Sequence, residues 1–150
     1  AVIAALYAVL THMQNFLLPG SATWAIQMRI SEAMTVLAFF TPAAIPGLSL
    51  GCLLFNLTYS ATLPLDFVVG TLATLLAAIA MWLTLPGLLM PALTNAVLVG
   101  WELTVYIGGG FGINALYVAL GELAVVLVLG SLLYFAITKR GLDKKLLSAG

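Results

Sequence analysis

Charge is what this chain lacks. Five Lys and Arg and five Asp and Glu make up 7% of its 150 residues, where soluble domains carry about a quarter. A surface so poor in charge does not stay dissolved, so a soluble globular protein is excluded. The formal net charge of zero argues against a nucleic-acid partner. Cys52 is the single cysteine, which rules out a disulfide framework and a thiolate metal centre. His12 is the single histidine, which removes most imidazole chemistry, and no cofactor or metal is expected. Neither an initiator Met nor a basic segment precedes the first apolar run. The expectation is a chain that starts inside a helix and carries no signal peptide.

What is present is hydrophobic: 63% of residues, with mean hydropathy +1.19. A bilayer leaves two options for a spanning chain, helices or a closed barrel. The apolar runs show no two-residue alternation and are rich in Ala and Leu, which favours helices. The expected fold is an all-α integral membrane protein of six transmembrane helices in a single domain, 1–150. The spans fall at about 1–18, 29–40, 44–59, 65–85, 91–107 and 112–138; the second and third are shorter than a comfortable crossing. Pro42 and Pro46 break the uncharged run from Ala33 to Leu65 into two short spans, with one kinked helix as the alternative. Lys139, Arg140, Lys144 and Lys145 cluster after the last span, so the C-terminus is expected to be cytoplasmic. Six crossings put the N-terminus there too, in the cell membrane of a prokaryote.

Ionisable residues inside spans are costly and mark function. Glu102 shares a helix face with Asn95 and Tyr106, and Glu122 lies on faces adjoining Asn114, Tyr117 and Gly121. Asp66 opens a span, where a carboxylate also suits a helix N-terminus. Outside the tail there are four carboxylates (Glu32, Asp66, Glu102, Glu122) and one cation, Arg29. That excess suits a ligand that is cationic or presents several N–H donors. Arg29 and Glu32, three residues apart, are expected to pair on one helix face. They would fix the loop of Trp24 and Gln27 over a ligand. Trp24 and Tyr106 also suit a membrane interface. Two small-residue features stand out: Ala1, Ala4, Ala5 and Ala8 form a ridge, and Gly47 and Gly51 form a GxxxG pair. Both spacings let helices approach closely, within the chain or against a partner. Gly47-Leu48-Ser49-Leu50-Gly51 matches the serine-hydrolase pattern GxSxG. The only His lies in another span near the opposite face, so the glycines are read as packing and no enzyme is expected.

The segments ALYAVLT, IQMRISEAMTVLAFFTPAAIPGLSLGCLLFN, DFVVGTLATLLAA, VGWEL and NALYVALGELAVV, in order along the chain, resemble the queuosine-precursor transporter family. Its members are substrate-binding S components of energy-coupling factor (ECF) transporters. The resemblance implies an S-component bundle open to the outside, a coupling transmembrane subunit and two cytoplasmic ATPases as partners. The substrate it implies is a 7-deazaguanine base, such as the aminomethyl or cyano precursor. It also implies that an AxxxA pattern on the first helix docks to the coupling subunit, a spacing met by Ala1/Ala5 and Ala4/Ala8. Residue chemistry then names the expected ligand set: Glu102 and Glu122 as leading acceptors, with Asn114, Tyr106, Trp24, Gln27, Arg29 and Glu32. The alternative is a stand-alone proton- or cation-coupled secondary transporter of a small cationic or N–H-rich solute.

Overall fold

The computed structural model describes residues 1–22, 28–59, 64–84 and 87–149. Every regular element among them is helical. In chain order they are α1 (Val2–Leu17), a 3₁₀ helix (Ile30–Phe39), α2 (Ala44–Thr58), α3 (Asp66–Leu83), a short 3₁₀ turn (Gly87–Leu89) and α4 (Met90–Tyr106). Then come α5 (Phe111–Val125), a π turn (Val126–Gly130), α6 (Ser131–Lys139) and α7 (Leu142–Ala149). Three helical stretches are long and apolar enough to cross a membrane: Asp66–Leu83, Gly87–Tyr106 and Phe111–Lys139, with mean hydropathies of 1.9, 1.4 and 2.3. Val2–Leu17, Ile30–Phe39 and Ala44–Thr58 are shorter apolar helices. Large apolar side chains such as Phe16, Leu83 and Phe135 stand exposed around the outside, as lipid-facing residues do.

Consecutive helices pack side by side, α1 on α2, α2 on α3, α3 on α4 and α4 on α5, and the 3₁₀ helix runs up the middle. It touches α1, α2, α3, α5, the π turn and α6. Ten residues is long for a 3₁₀ helix, whose hydrogen bonds are poorer than those of an α-helix. Its geometry explains why it survives here. Three residues per turn stack side chains into three straight rows, and each row meets a different neighbour. Ser31 and Met34 face α1: the Ser31 and Thr11 hydroxyls are 2.6 Å apart, and Met34 packs with Tyr7. Glu32 faces α1 and α3 through Tyr7 and Thr74. Ala33 and Val36 face Gly130 of the π turn. The Thr35 hydroxyl donates to the Glu32 carbonyl at 2.6 Å, tightening the same three-residue repeat.

The 3₁₀ helix also starts deep. Gln14, one turn from the end of α1, donates to the Met28 carbonyl and to Ser21 Oγ (3.0 Å), and its Oε1 accepts from Ile30 N–H at 2.8 Å. Met28 N–H also donates to the Ser21 carbonyl at 3.1 Å, so the residues just before the 3₁₀ helix are tied to the end of α1. At about 2.0 Å rise per residue its ten residues cover about 20 Å, against about 15 Å for the same count of α-helix. A turn at Phe40–Ala43 separates it from α2. Pro46 lies in the first turn of α2, where its missing N–H costs no hydrogen bond.

The GxxxG pair seals α1 to α2. A Cβ on Gly51 would stand 2.6 Å from Tyr7 Cβ and 2.8 Å from the Ala4 carbonyl oxygen; one on Gly47 would stand 2.9 Å from Ile3 Cβ. The close approach presses Tyr7, wholly buried, towards the 3₁₀ helix. The hydrolase reading fails in the same place. Ser49 Oγ donates to the Ile45 carbonyl at 2.9 Å, while His12 bonds Thr58 Oγ1 at 2.9 Å.

Candidate functional site

The bundle centre holds an ionisable cluster in a chain that has few ionisable groups. Arg29 caps the 3₁₀ helix and is 4% exposed. Its Nε donates to the Ala22 carbonyl at 2.9 Å, its Nη1 reaches Cys52 Sγ at 3.5 Å, and its guanidinium lies 5.6 Å from the Phe55 ring centroid. Gly70 lies beside it, closest to Asn56. A Cβ there would meet Asn56 Nδ2 at 3.1 Å, Arg29 Nη1 at 3.8 Å and Asp66 Oδ1 at 4.0 Å. Asn56 Nδ2 donates to the Asp66 carbonyl at 2.7 Å, joining the ends of α2 and α3.

Glu32, one turn along, is bonded elsewhere. Its Oε1 accepts from the Tyr7 hydroxyl and, at 3.1 Å, from Thr74 Oγ1. The expected pairing of Arg29 with Glu32 at a mouth is therefore not what forms. Both are buried, and each has its own partners. Three residues bring two side chains together on an α-helix, but Arg29 lies before the helix, with extended backbone. Its side chain leaves towards α2 while Glu32 points between α1 and α3.

Two further carboxyls complete the centre. Glu102 on α4 is within hydrogen-bond reach of Asp66, and Glu122 on α5 is within electrostatic reach of Glu32; Arg29 is within electrostatic reach of all four. Glu32, Glu102 and Glu122 are at most 1% exposed. Buried polar atoms are nearly always hydrogen-bonded, yet several here are not. Glu32 Oε2, Glu122 Oε2 and Asn95 Nδ2 have no partner among the described residues, while the Glu102 carboxyl meets that of Asp66. An unmet buried carboxyl costs several kcal/mol at order of magnitude, which makes this cluster the candidate place for contact with a solute.

Asn114 and Tyr106 lie towards the far end of α4 and the start of α5. Asn114 Nδ2 donates to Thr104 Oγ1 and to the Gly108 carbonyl, both at 3.0 Å, pinning the connection between α4 and α5. Gly108 and Gly109 take φ +82° and +80° there. Tyr106 is 41% exposed at the end of α4. Trp24 and Gln27 lie outside the described residues. On α1 the small ridge divides: Ala4 is buried against α2, whereas Ala1 and Ala5 are exposed. Sequence reasoning did not nominate Tyr7 or Thr74 for the centre. The signal for Tyr7 was present in α1, where Tyr7, Thr11 and Gln14 repeat at helical spacing as a polar stripe through an apolar helix.

An apolar helical shell around a buried cluster of carboxyls defines the class: a helical membrane protein with ionisable groups at its centre. The comparison with known families narrows it. Residues 1–139 match the QueT transporter family, and the chain belongs to that family. No curated protein and no solved structure matches it. Its role is accordingly transport, and the matched range takes in every element of the centre.

Proposed function

We propose that this chain is the substrate-binding S component of an ECF-type ATP-driven importer. It captures a queuosine precursor, a 7-deazaguanine base, from outside the cell and hands it on through a coupling transmembrane subunit driven by two cytoplasmic ATPases. The observation that carries the proposal is the buried cluster of Glu32, Glu102 and Glu122, with Glu32 Oε2 and Glu122 Oε2 unpartnered among the described residues, in a chain of the QueT transporter family. A deazaguanine presents a ring N–H and an exocyclic amine side by side, and carboxylates accept such donors well.

In this reading the chain crosses the membrane six times. The short 3₁₀ helix and its flanking residues make one of these crossings, its greater rise covering about 20 Å of a hydrocarbon core about 30 Å thick. Lys139, Arg140, Lys144 and Lys145 hold the C-terminus in the cytoplasm, and an even number of crossings returns the N-terminus to the same side. Glu102 and Glu122 are the leading acceptors and Arg29 and Glu32 shape the centre. Asn114, Tyr106, Trp24 and Gln27 border the site, where aromatic faces suit a stacked base. The exposed Ala1 and Ala5 form the docking ridge for the coupling subunit, beside a groove of about 470 Å³ lined by Ala1, Ile3, Pro46, Gly47 and Leu50. Ala4 and Ala8 lie deeper on the same helix and let it sit close to α2.

Uptake of labelled 7-deazaguanine precursors into cells making this chain, with and without the coupling subunit and ATPases, tests the proposal. Uptake should need all four components. Uptake by the chain alone would instead establish the proton- or cation-coupled secondary transporter.

A further inference from the structure

Apart from Arg29, every basic residue of the chain lies between 139 and 145. Lys139 and Arg140 end α6, and Lys144 and Lys145 stand on α7. Between the pairs, Gly141 takes φ +64° and its N–H donates to the Thr138 carbonyl at 3.1 Å. A glycine in this left-handed conformation ends a helix and redirects the chain. It brings α7 back onto the bundle. Leu146 packs against the cluster of Val36, Phe40 and Ile137. Asp143 and Leu147 line a cavity of about 450 Å³ with Phe39, Phe40 and Tyr134.

This docking sorts the side chains of α7. At 3.6 residues per turn, Lys144, Lys145 and Ser148 share one side of the helix, and all three are exposed. The one acid, Asp143, is turned to the cavity instead, so the outer face carries cations alone. Leu142 borders that face beside Lys145, and Leu147 borders it beside Lys144; both leucines are exposed. A face that only met water would have no use for apolar edges. A cationic strip edged by leucine is the profile of a helix lying at a membrane surface. The side of α6 that leads to it is apolar: Leu132 and Phe135 are exposed, and Lys139 follows Phe135 by one turn. The exposed apolar side of α6 thus runs directly into the basic cluster, where a long side chain reaches from hydrocarbon to headgroups.

We propose that the end of α6 and α7 together form a binding surface for anionic phospholipids of the leaflet in which α6 ends. Lys139, Arg140, Lys144 and Lys145 hold the lipid phosphates, while Leu142 and Leu147 enter the boundary of the acyl chains. The surface is separate from the buried carboxyls, and it gives the four cations a job besides orienting the chain. Anionic lipid then favours the docked position of α7 against Phe40 and Ile137.

Thermal unfolding of the full chain in a neutral detergent tests this, with phosphatidylglycerol or phosphatidylcholine added to the micelles. A lipid that binds the folded chain raises its melting temperature. Phosphatidylglycerol should reach half its effect at a lipid content at least about tenfold lower than phosphatidylcholine, a comparison that needs no variant to fold. Raising salt from about 0.05 M to about 0.5 M should remove most of that advantage. Lys144→Gln with Lys145→Gln, which leaves Lys139 and Arg140 in place, should raise the phosphatidylglycerol requirement about 10- to 30-fold, at about fivefold per lysine. Its response to phosphatidylcholine should change by less than about twofold. Equal responses to the two lipids, or an advantage that survives salt or the double substitution, overturns the proposal. Equal lipid responses together with loss of ATPase-subunit binding in the double variant also overturn it, and assign the surface to a protein partner. The transport reading stands under each of these results.

Discussion

The contact between α4 and α5 is the most exacting place to perturb the site without touching it. Gly100 lies two residues from Glu102, and a Cβ there would stand 2.8 Å from Ala115 Cα, 3.0 Å from Ala115 N and 3.1 Å from Ala115 Cβ. Ordinary contact begins at 3.4 Å. None of those atoms can swing aside, so Gly100→Ala requires the two backbones to part by about 0.6 Å, a gap large enough to forfeit a good part of the local dispersion contact. Overpacking of this kind costs about 1–3 kcal/mol, and the better helix propensity of Ala returns about 1 kcal/mol. The variant should therefore be less stable than wild type by up to about 2 kcal/mol. Binding should suffer more than stability, because a site tolerates only about 0.5 Å of misplacement and the shift separates Glu102 from Glu32 and Glu122. Gly112→Ala is the matched control: nothing lies within 4 Å of its Cβ, so only the propensity gain remains. Thermal unfolding in detergent, followed by tryptophan fluorescence, and calorimetry on both variants read the two effects. If Gly100→Ala melts at or above wild type and binds ligand unchanged, the tight α4–α5 seam does not position the site.

Other substitutions probe separate parts of the centre. Tyr7→Phe and Thr74→Val should each destabilise the protein by about 1–2 kcal/mol. A double-mutant cycle on thermal stability should show coupling, since both hydroxyls serve the same Glu32 oxygen; strict additivity would contradict that geometry. Arg29→Met leaves the carboxyls without their only nearby cation and should cost about 3–5 kcal/mol by thermal unfolding. Arg29→Lys should recover little, because a lysine cannot repeat the Nε bond to Ala22 while stacking on Phe55. Gly108→Ala forces a side chain into a left-handed conformation at φ +82°. It should lower stability by about 1–2 kcal/mol, with a melting temperature equal to wild type as the contrary result.

Much of this architecture follows from elementary sequence features, and the rest depends on contacts no single helix reveals. Charge poverty and Ala- and Leu-rich runs without alternation dictate an all-helical apolar protein, and the residues that resembled a queuosine-precursor transporter lie inside the matched range. The buried positions of Glu102 and Glu122 were legible because an ionised side chain within an apolar run has little reason to be there except to bind or pair, whereas Glu32 was expected at a mouth and is buried. The 3₁₀ geometry of Ile30–Phe39 was not legible. Local sequence does not set it; it arises because six neighbouring elements surround one short segment, and three straight rows satisfy them better than a rotating α-helical stripe. The same geometry misled the reading of Arg29 and Glu32. Spacing alone put them together, but the helix starts after Arg29 and the side chains diverge. Tyr7 and Thr74 escaped notice because hydroxyls in apolar helices usually bond their own backbone, and only tertiary packing turns these two onto Glu32.

The central claim is that the buried carboxyls bind a deazaguanine. Isothermal titration of the purified wild-type chain with 7-aminomethyl-7-deazaguanine, repeated with Glu102→Gln, tests it most directly. The account predicts saturable one-to-one binding by the wild type and an affinity about 100-fold weaker in the variant. Absence of binding to the wild type, or binding unchanged by Glu102→Gln, would contradict it.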